Sequence, residues 1–394
     1  MSERVRERIR EAIADHGPIS FAVFMELALY GPGGFYEDPP VGERGDFVTS
    51  PHVHPVFATF LAEALGQAWE LLGKPEPFRL IEIGAGDGTL AGRLGGELRK
   101  VRDEIKIEYT AVERSPGARE ALERVGRLRV LSALEAAPTG ITGCVVANEL
   151  LDNLPFRWLR DTAEGAVEVG VDRSPDGDGF TFVERPWPID GVDPLDAEGP
   201  PVRTGEERAV PVAAYRLVEH VARVLQSGYA LFVDYAGPVA PGSLVHGYRA
   251  HRVLDAEALL AHPGSSDITA AVDLAAIVSR AQVVGLQTFK PVTQRAALLA
   301  LGFDRWAAGE RRRQASLQDA RSGRAAVETW SNRNAAALLA DPGGLGRLRW
   351  LLLATPGLPP PRWLSDAGAL DAEEIVRHGG PDPPHARHPG WIRG

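Results

Sequence analysis

The stretch Leu80-Ile81-Glu82-Ile83-Gly84-Ala85-Gly86-Asp87-Gly88-Thr89-Leu90 constrains this chain more than any other. Its short apolar run reads as a buried strand, and glycines at alternate positions give a tight turn into the helix that follows. Such a turn leaves bare backbone at the carboxyl end of a strand and beside a helix N-terminus, where a ligand can lie. The spacing is G-x-G-x-G. A dinucleotide fingerprint needs glycine where Thr89 stands, which disfavours a nicotinamide cofactor, and no Gly-Lys-Ser/Thr follows to make a phosphate loop. A tight structural turn without ligand fits these residues as well.

The flanking chain repeats the alternation: strand 78–83, helix 89–99, strand 105–112, helix 116–125, strand 128–131 and strand 143–147. This order predicts an α/β, Rossmann-like parallel sheet with helices on both faces. A helical leader precedes it. Val5, Ile9, Ala12 and Ile13 share one face of a helix over 2–16, Ser20 caps a second helix, and Phe57 to Trp69 carry a third. Inside the leader lies a loop reading Gly45-Asp46-Phe47-Val48-Thr49-Ser50-Pro51. Beyond Phe156 a hairpin is expected from 164–172 and 180–183, then a Pro-, Asp- and Gly-rich loop over 186–201. Helix 212–226, strand 229–233 ending at Asp234-Tyr235, helix 270–282 and a strand pair near 286–292 would finish the sheet. Polar helices follow Gly302, and eight prolines between Pro356 and Pro389 predict an irregular tail. The expected division is a helical cap over 1–75, a sheet domain over 76–302 with an insertion at about 156–205, and a helical extension with Pro-rich tail over 303–394.

Charge narrows the partners. A net charge of −10 argues against a nucleic-acid-coating protein and against an anionic membrane, and suits a basic or cationic partner. The lone Cys144 cannot form an intramolecular disulfide, and no apolar run approaches the roughly 18 residues of a membrane span. Acidic residues Glu7, Glu11 and Asp15 near the start argue against a transit peptide, so the expected location is the cytoplasm.

Two further features carry chemistry. Glu113 ends the second strand, where a carboxylate can accept both hydroxyls of a ribose; an ordinary solvated Glu is the alternative. After the fourth strand comes Asn148-Glu149-Leu150-Leu151-Asp152-Asn153-Leu154-Pro155, which the fold sets beside the glycine turn with two carboxylates. Here the alternative is Asp152 capping the next turn and Glu149 in solvent. His52, His54, His251 and His262 join no Cys or Glu cluster of metal-ligand spacing, so no metal is expected. His52 or His251 could act as a base on a small substrate, though loop histidines are the plainer reading. Cys144 and the tryptophans Trp69, Trp158 and Trp187 read as packing residues.

The glycine turn, Glu113 and the Asn-Glu loop resemble motifs of class I S-adenosylmethionine-dependent methyltransferases. The chain as a whole resembles a narrower group, the MidA-like family, which includes a mitochondrial complex I assembly factor that methylates arginine. The matching stretches include Phe24-Met25, Leu29-Tyr30, Gly45 to Pro51, the glycine turn, Asn148 to Asp152, Asp234-Tyr235, Gly247-Tyr248-Arg249 with His251, Asp267-Ile268-Thr269 and Thr293-Gln294. They run in the family's order over residues of about 19 to 302. Two positions depart: the family usually carries Glu at His52 and His at Ala271.

The resemblance implies a class I methyltransferase sheet that binds S-adenosyl-L-methionine through Gly84, Gly86, Gly88, Glu113 and Asn148, with Asp46, Thr49 and Ser50 closing over its amino-acid end. It implies methyl transfer to a protein arginine, Glu149 clamping the guanidinium and Asp152 second. A small-molecule O- or N-acceptor, slightly favoured by the two departures, and a non-catalytic assembly factor are the alternatives. Neither nucleic acid nor membrane is expected as partner, and a homodimer stays open.

Overall fold

The computed structural model describes residues 2–37, 49–177, 179–187, 206–236, 244–249, 252–319 and 323–378. A central sheet is built from β1 (Phe78–Ile83), β2 (Ile107–Val112), β3 (Arg129–Leu131), β4 (Ile141–Asn148), β5 (Leu225–Asp234), β6 (Gln287–Thr288), β7 (Val292–Thr293) and β8 (Arg349–Ala354). Its order is β6-β8-β5-β4-β1-β2-β3, with β7 also on β8. The strands from β5 across to β3 pair in parallel, and β8 runs antiparallel to β5. Strand β4 reads Ile-Thr-Gly-Cys-Val-Val-Ala-Asn and is buried on both faces, as expected for a strand covered by helices on either side. Cys144 points into the core, where burial pushes its thiol up to about 12.

Helices Val56–Leu71, Ala91–Val101 and Gln294–Ala300 cover one face, packing Phe57, Leu61, Leu94 and Leu98 on Leu80, Val146 and Trp350. Helices Val212–Val224 and Leu274–Val283 cover the other, packing Val218, Val221 and Ile277 on Ile81, Val145 and Phe232. The leader forms a third core with the insertion. Helix Ser2–His16 buries Val5, Ile9 and Ile13, four residues apart, and Ser20 accepts the Val23 N–H at 3.2 Å to start helix Phe21–Tyr30. Phe21 meets Phe156 at 5.5 Å and Trp158 at 5.3 Å between ring centres, fastening leader to insertion.

The insertion is more than a hairpin. Strands Gly165–Arg173 and Phe180–Pro186 pair as expected, but Arg157–Thr162, Glu207–Val210 and Ile19–Ser20 join them in a five-stranded sheet. A three-stranded sheet holds Val245–Arg249 between Arg252–Leu254 and Asp267–Ala270. The helix expected over 270–282 begins at Leu274, because Asp273 caps it by accepting the Ala275 and Ala276 N–H groups.

The larger correction concerns the end of the sheet. It is not complete at residue 302: β8 lies between β5 and β6, with Trp350, Leu351 and Leu353 fully buried. The stretch expected to be irregular contains helix Arg362–His378, whose Trp363, Leu364 and Ala367 are buried. Pro359 to Pro361 end just before that helix, so they do not interrupt its ladder. Among the described residues no helix is long and apolar enough to cross a membrane.

Candidate active site

A cavity of about 520 Å³ opens over the carboxyl ends of β1, β2 and β4, bounded by the glycine turn, Glu113, Asn148, Glu149, Tyr30, Tyr36 and the short helix Ser50–Val53. The three glycines have φ of +70°, +54° and +84°. A Cβ on Gly84 would come within 2.9 Å of Leu150, and one on Gly88 within 2.9 Å of Val125, so these two serve close packing as well as the turn. A Cβ on Gly86 would meet nothing within 4 Å, and Gly86 lines the cavity: here the backbone is bare toward the open space.

Glu113 follows β2 directly and faces the turn. Its Oε2 accepts the Gly86 N–H at 2.8 Å and its Oε1 the Ser115 N–H at 2.8 Å. Burial raises its pKa, opposed by those N–H donors. Each carboxylate oxygen keeps a further lone pair for a ligand hydroxyl.

The loop after β4 supplies the opposite wall. Glu149 has φ +52°, a left-handed conformation costing about 1–2 kcal/mol for a residue with a side chain. It is held by its own N–H to the Val233 carbonyl (2.7 Å) and by Ser50, whose N–H donates to Glu149 Oε1 at 2.8 Å. Asn148 Nδ2 donates to the same oxygen at 3.2 Å, while Asn148 Oδ1 is buried without a hydrogen-bond partner. An orphaned acceptor on the cavity wall suits a ligand ammonium. Asp234, at the end of β5, ties the loop down by accepting the N–H groups of Leu150 (2.9 Å), Leu151 (2.6 Å) and Tyr235 (2.7 Å).

Around this loop the acids accumulate. Burial raises the Glu149 pKa and pushes Asp234 up to about 7. Asp152 is raised furthest, by burial first and then by Asp234, Asp267 and Glu149. Its Oδ1 has no hydrogen-bond partner, while its carboxylate takes a backbone N–H bond within its own residue. Asp267 instead is well served, accepting the Tyr36 hydroxyl at 2.9 Å and Asn153 Nδ2 at 3.0 Å.

The sequence-derived residues are therefore brought together with four exceptions, the first being Gly88, which packs toward Val125 and Leu122 and does not line the cavity. Ser50 is fully buried and does not line the cavity; its hydroxyl lies beside Gln294 at 3.3–3.4 Å and, like its N–H, also bonds Glu149, so it supports the site from behind. Asp152 sits behind the wall and does not line the cavity. Asp46 lies outside the described residues. Thr49 does line the cavity and bonds His52. Sequence reasoning missed the role of Glu82, buried in β1, lining the cavity and bonded by the Tyr109 hydroxyl; an acid inside an apolar strand was the available signal. It also missed Tyr30, Tyr36 and the bracing role of Asp234.

Comparison with known proteins agrees with this geometry. The family model described as "Putative S-adenosyl-L-methionine-dependent methyltransferase" matches residues 60–292. The chain is 28% identical over 337 residues to the zebrafish (Danio rerio) protein arginine methyltransferase NDUFAF7, mitochondrial, covering 77% of this chain and 78% of that one. It is 27% identical to the human protein of the same name, covering 74% and 72%. A crystal structure from Burkholderia thailandensis, bound to S-adenosyl-homocysteine, superposes with a TM-score of 0.78 at 28% identity, covering 93% of this chain and 95% of the other.

Proposed function

The chain belongs to this family of S-adenosyl-L-methionine-dependent methyltransferases, and on that premise we propose that its acceptor is the guanidinium of a protein arginine. The observation that carries the reading is the cluster of four acids, half-buried Glu149 and Asp152 against buried Asp234 and Asp267. The strongest charges acting on Asp152 are all carboxylates, and its buried Oδ1 is unpaired. Buried charge of one sign calls for a partner of the other sign, and a planar cation is met best by a carboxylate it can grip bidentately. Two relatives named as protein arginine methyltransferases support the same choice.

When bound, S-adenosyl-L-methionine would supply the methyl group from its sulfonium, the S–CH3 bond breaking to leave the neutral thioether S-adenosyl-homocysteine. The chain's residues then align and exclude water. The bare backbone at Gly86 would give the nucleoside room to approach, Glu113 would take the ribose hydroxyls, and Asn148 Oδ1 would accept from the amino group. Glu149 holds the guanidinium, draws its charge away from the attacking nitrogen and takes the proton as that nitrogen bonds the methyl group. Its raised pKa suits a base that must finish protonated. Asp152 backs the Glu149 loop from behind the wall.

The test is to incubate the full chain with radiolabelled S-adenosyl-L-methionine and cell lysate, then hydrolyse the labelled protein. Methylarginine is the expected product; label confined to small molecules would refute the protein acceptor. Glu149→Ala should abolish transfer while S-adenosyl-homocysteine affinity stays within a few-fold.

A further inference from the structure

His52 is engaged at both ring nitrogens. Nδ1 lies 2.8 Å from Thr49 Oγ1, and Nε2 lies 3.0 Å from Asp87 Oδ2. Asp87 belongs to the glycine turn and spends its other oxygen on the Thr89 N–H at 3.0 Å, at the start of the next helix. Burial pushes the Asp87 carboxyl up, but the bonds from His52 and Thr89 outweigh it and leave its pKa below the ordinary value. Two residues from His52, the Ser50 N–H holds Glu149. A continuous set of contacts thus crosses the cavity from the glycine turn to Glu149, and its one link between the two walls among these contacts is a side-chain pair only 11% and 29% exposed.

We propose that His52 is a positioning residue for methyl transfer, a strut that fixes the short helix Ser50–Val53, and through the Ser50 N–H the Glu149 carboxylate, against the cofactor turn. An in-line displacement loses rate steeply when donor and acceptor drift apart by an ångström, so a rigid spacer across the cavity has a definite task. The pair also constrains what position 52 can hold. A glutamate there would set its carboxylate against Asp87 at about the same separation, a like-charge contact in a half-buried place; histidine and Asp87 belong together. The link to Glu149 rests on the acceptor reading above, whereas the link to the turn does not.

The experiment measures S-adenosyl-homocysteine affinity of the full chain by calorimetry, with unfolding temperature alongside. His52→Glu and Asp87→Arg, each alone, should weaken binding at least tenfold. The double variant His52→Glu/Asp87→Arg sets a hydrogen-bonded ion pair across the same gap and should return affinity to within threefold of the parent. His52→Gln, which keeps a donor toward Asp87, should lose less than His52→Glu and guards against a variant that does not fold. An unchanged affinity for His52→Glu, or a double variant no better than the worse single one, overturns the strut. Failure of the arginine reading would look different: the parent would label no lysate protein while the affinity pattern and its rescue still held.

Discussion

Glu82 offers the sharpest physical test of this site. It is 3% exposed, in the apolar strand β1, and burial pushes its pKa to about 8 from an ordinary 4.5, with Glu113 and Asp87 adding to the rise and the Tyr109 hydroxyl opposing it. Between those two values the folded protein keeps a proton that the unfolded chain has released. The stability contributed by this group is therefore complete below pH 4.5, declines by about 1.4 kcal/mol per pH unit and levels off above pH 8. From pH 5 to pH 8 the loss is roughly 4 kcal/mol. Glu82→Gln removes that slope while keeping an oxygen for Tyr109. The other raised acids titrate in both proteins, so the difference between variant and parent isolates Glu82. Urea unfolding at pH 5, 6, 7 and 8 should show the variant gaining on the parent by about 4 kcal/mol across the range, against an offset of about 1 kcal/mol from its imperfectly paired amide. Parallel profiles, diverging by less than about 1 kcal/mol, would mean that Glu82 is ionised in the fold and that the account of this wall is wrong.

Other outcomes follow from the same geometry. Gly86→Val should reduce S-adenosyl-homocysteine binding at least fiftyfold by calorimetry, because its side chain enters the open space at the turn; retained binding would remove the glycine from the site. Asp234→Asn should depress methyl transfer at least tenfold with S-adenosyl-homocysteine affinity little changed, since it loosens Leu150 and Leu151 but leaves Glu113 untouched; a matching loss of affinity would contradict that separation. Trp350→Ala should cost about 3–5 kcal/mol in urea unfolding, the range for emptying a fully buried indole. Saturating S-adenosyl-homocysteine at a hundred times its Kd should stabilise the parent by about 2.7 kcal/mol in the same assay.

The central sheet from β1 to β5 was legible because its strands and helices alternate with clean punctuation. Ser115 accepts the Ala118 N–H, Pro116 opens the helix, and Gly126 closes it, each in its customary place. The cofactor wall was legible for the same reason, since a glycine turn and an acid at the next strand end are local patterns. What stayed hidden is non-local. Arg349-Trp350-Leu351-Leu352-Leu353-Ala354 is too short for its period to separate strand from helix, and only its partners, far back in the chain, make it a strand. The same holds for Ile19–Ser20, which completes a sheet with residues 165–173. Ser50 and Asp152 show the limit at the site. Residue type suggested a hydroxyl and a second carboxylate facing the ligand, but packing against Gln294 and the position behind the cavity wall turned both to support.

Arg349–Ala354 also bears on how the protein is made. It slots between two strands translated long before it, so a nascent polypeptide leaving the ribosome carries an open groove along Leu225–Asp234 until nearly the whole chain has emerged. A version stopped at residue 302 would keep that groove for good, offering a bare apolar edge to any neighbouring copy. Such a fragment should be recovered from cells as aggregate, and never as a minimal enzyme.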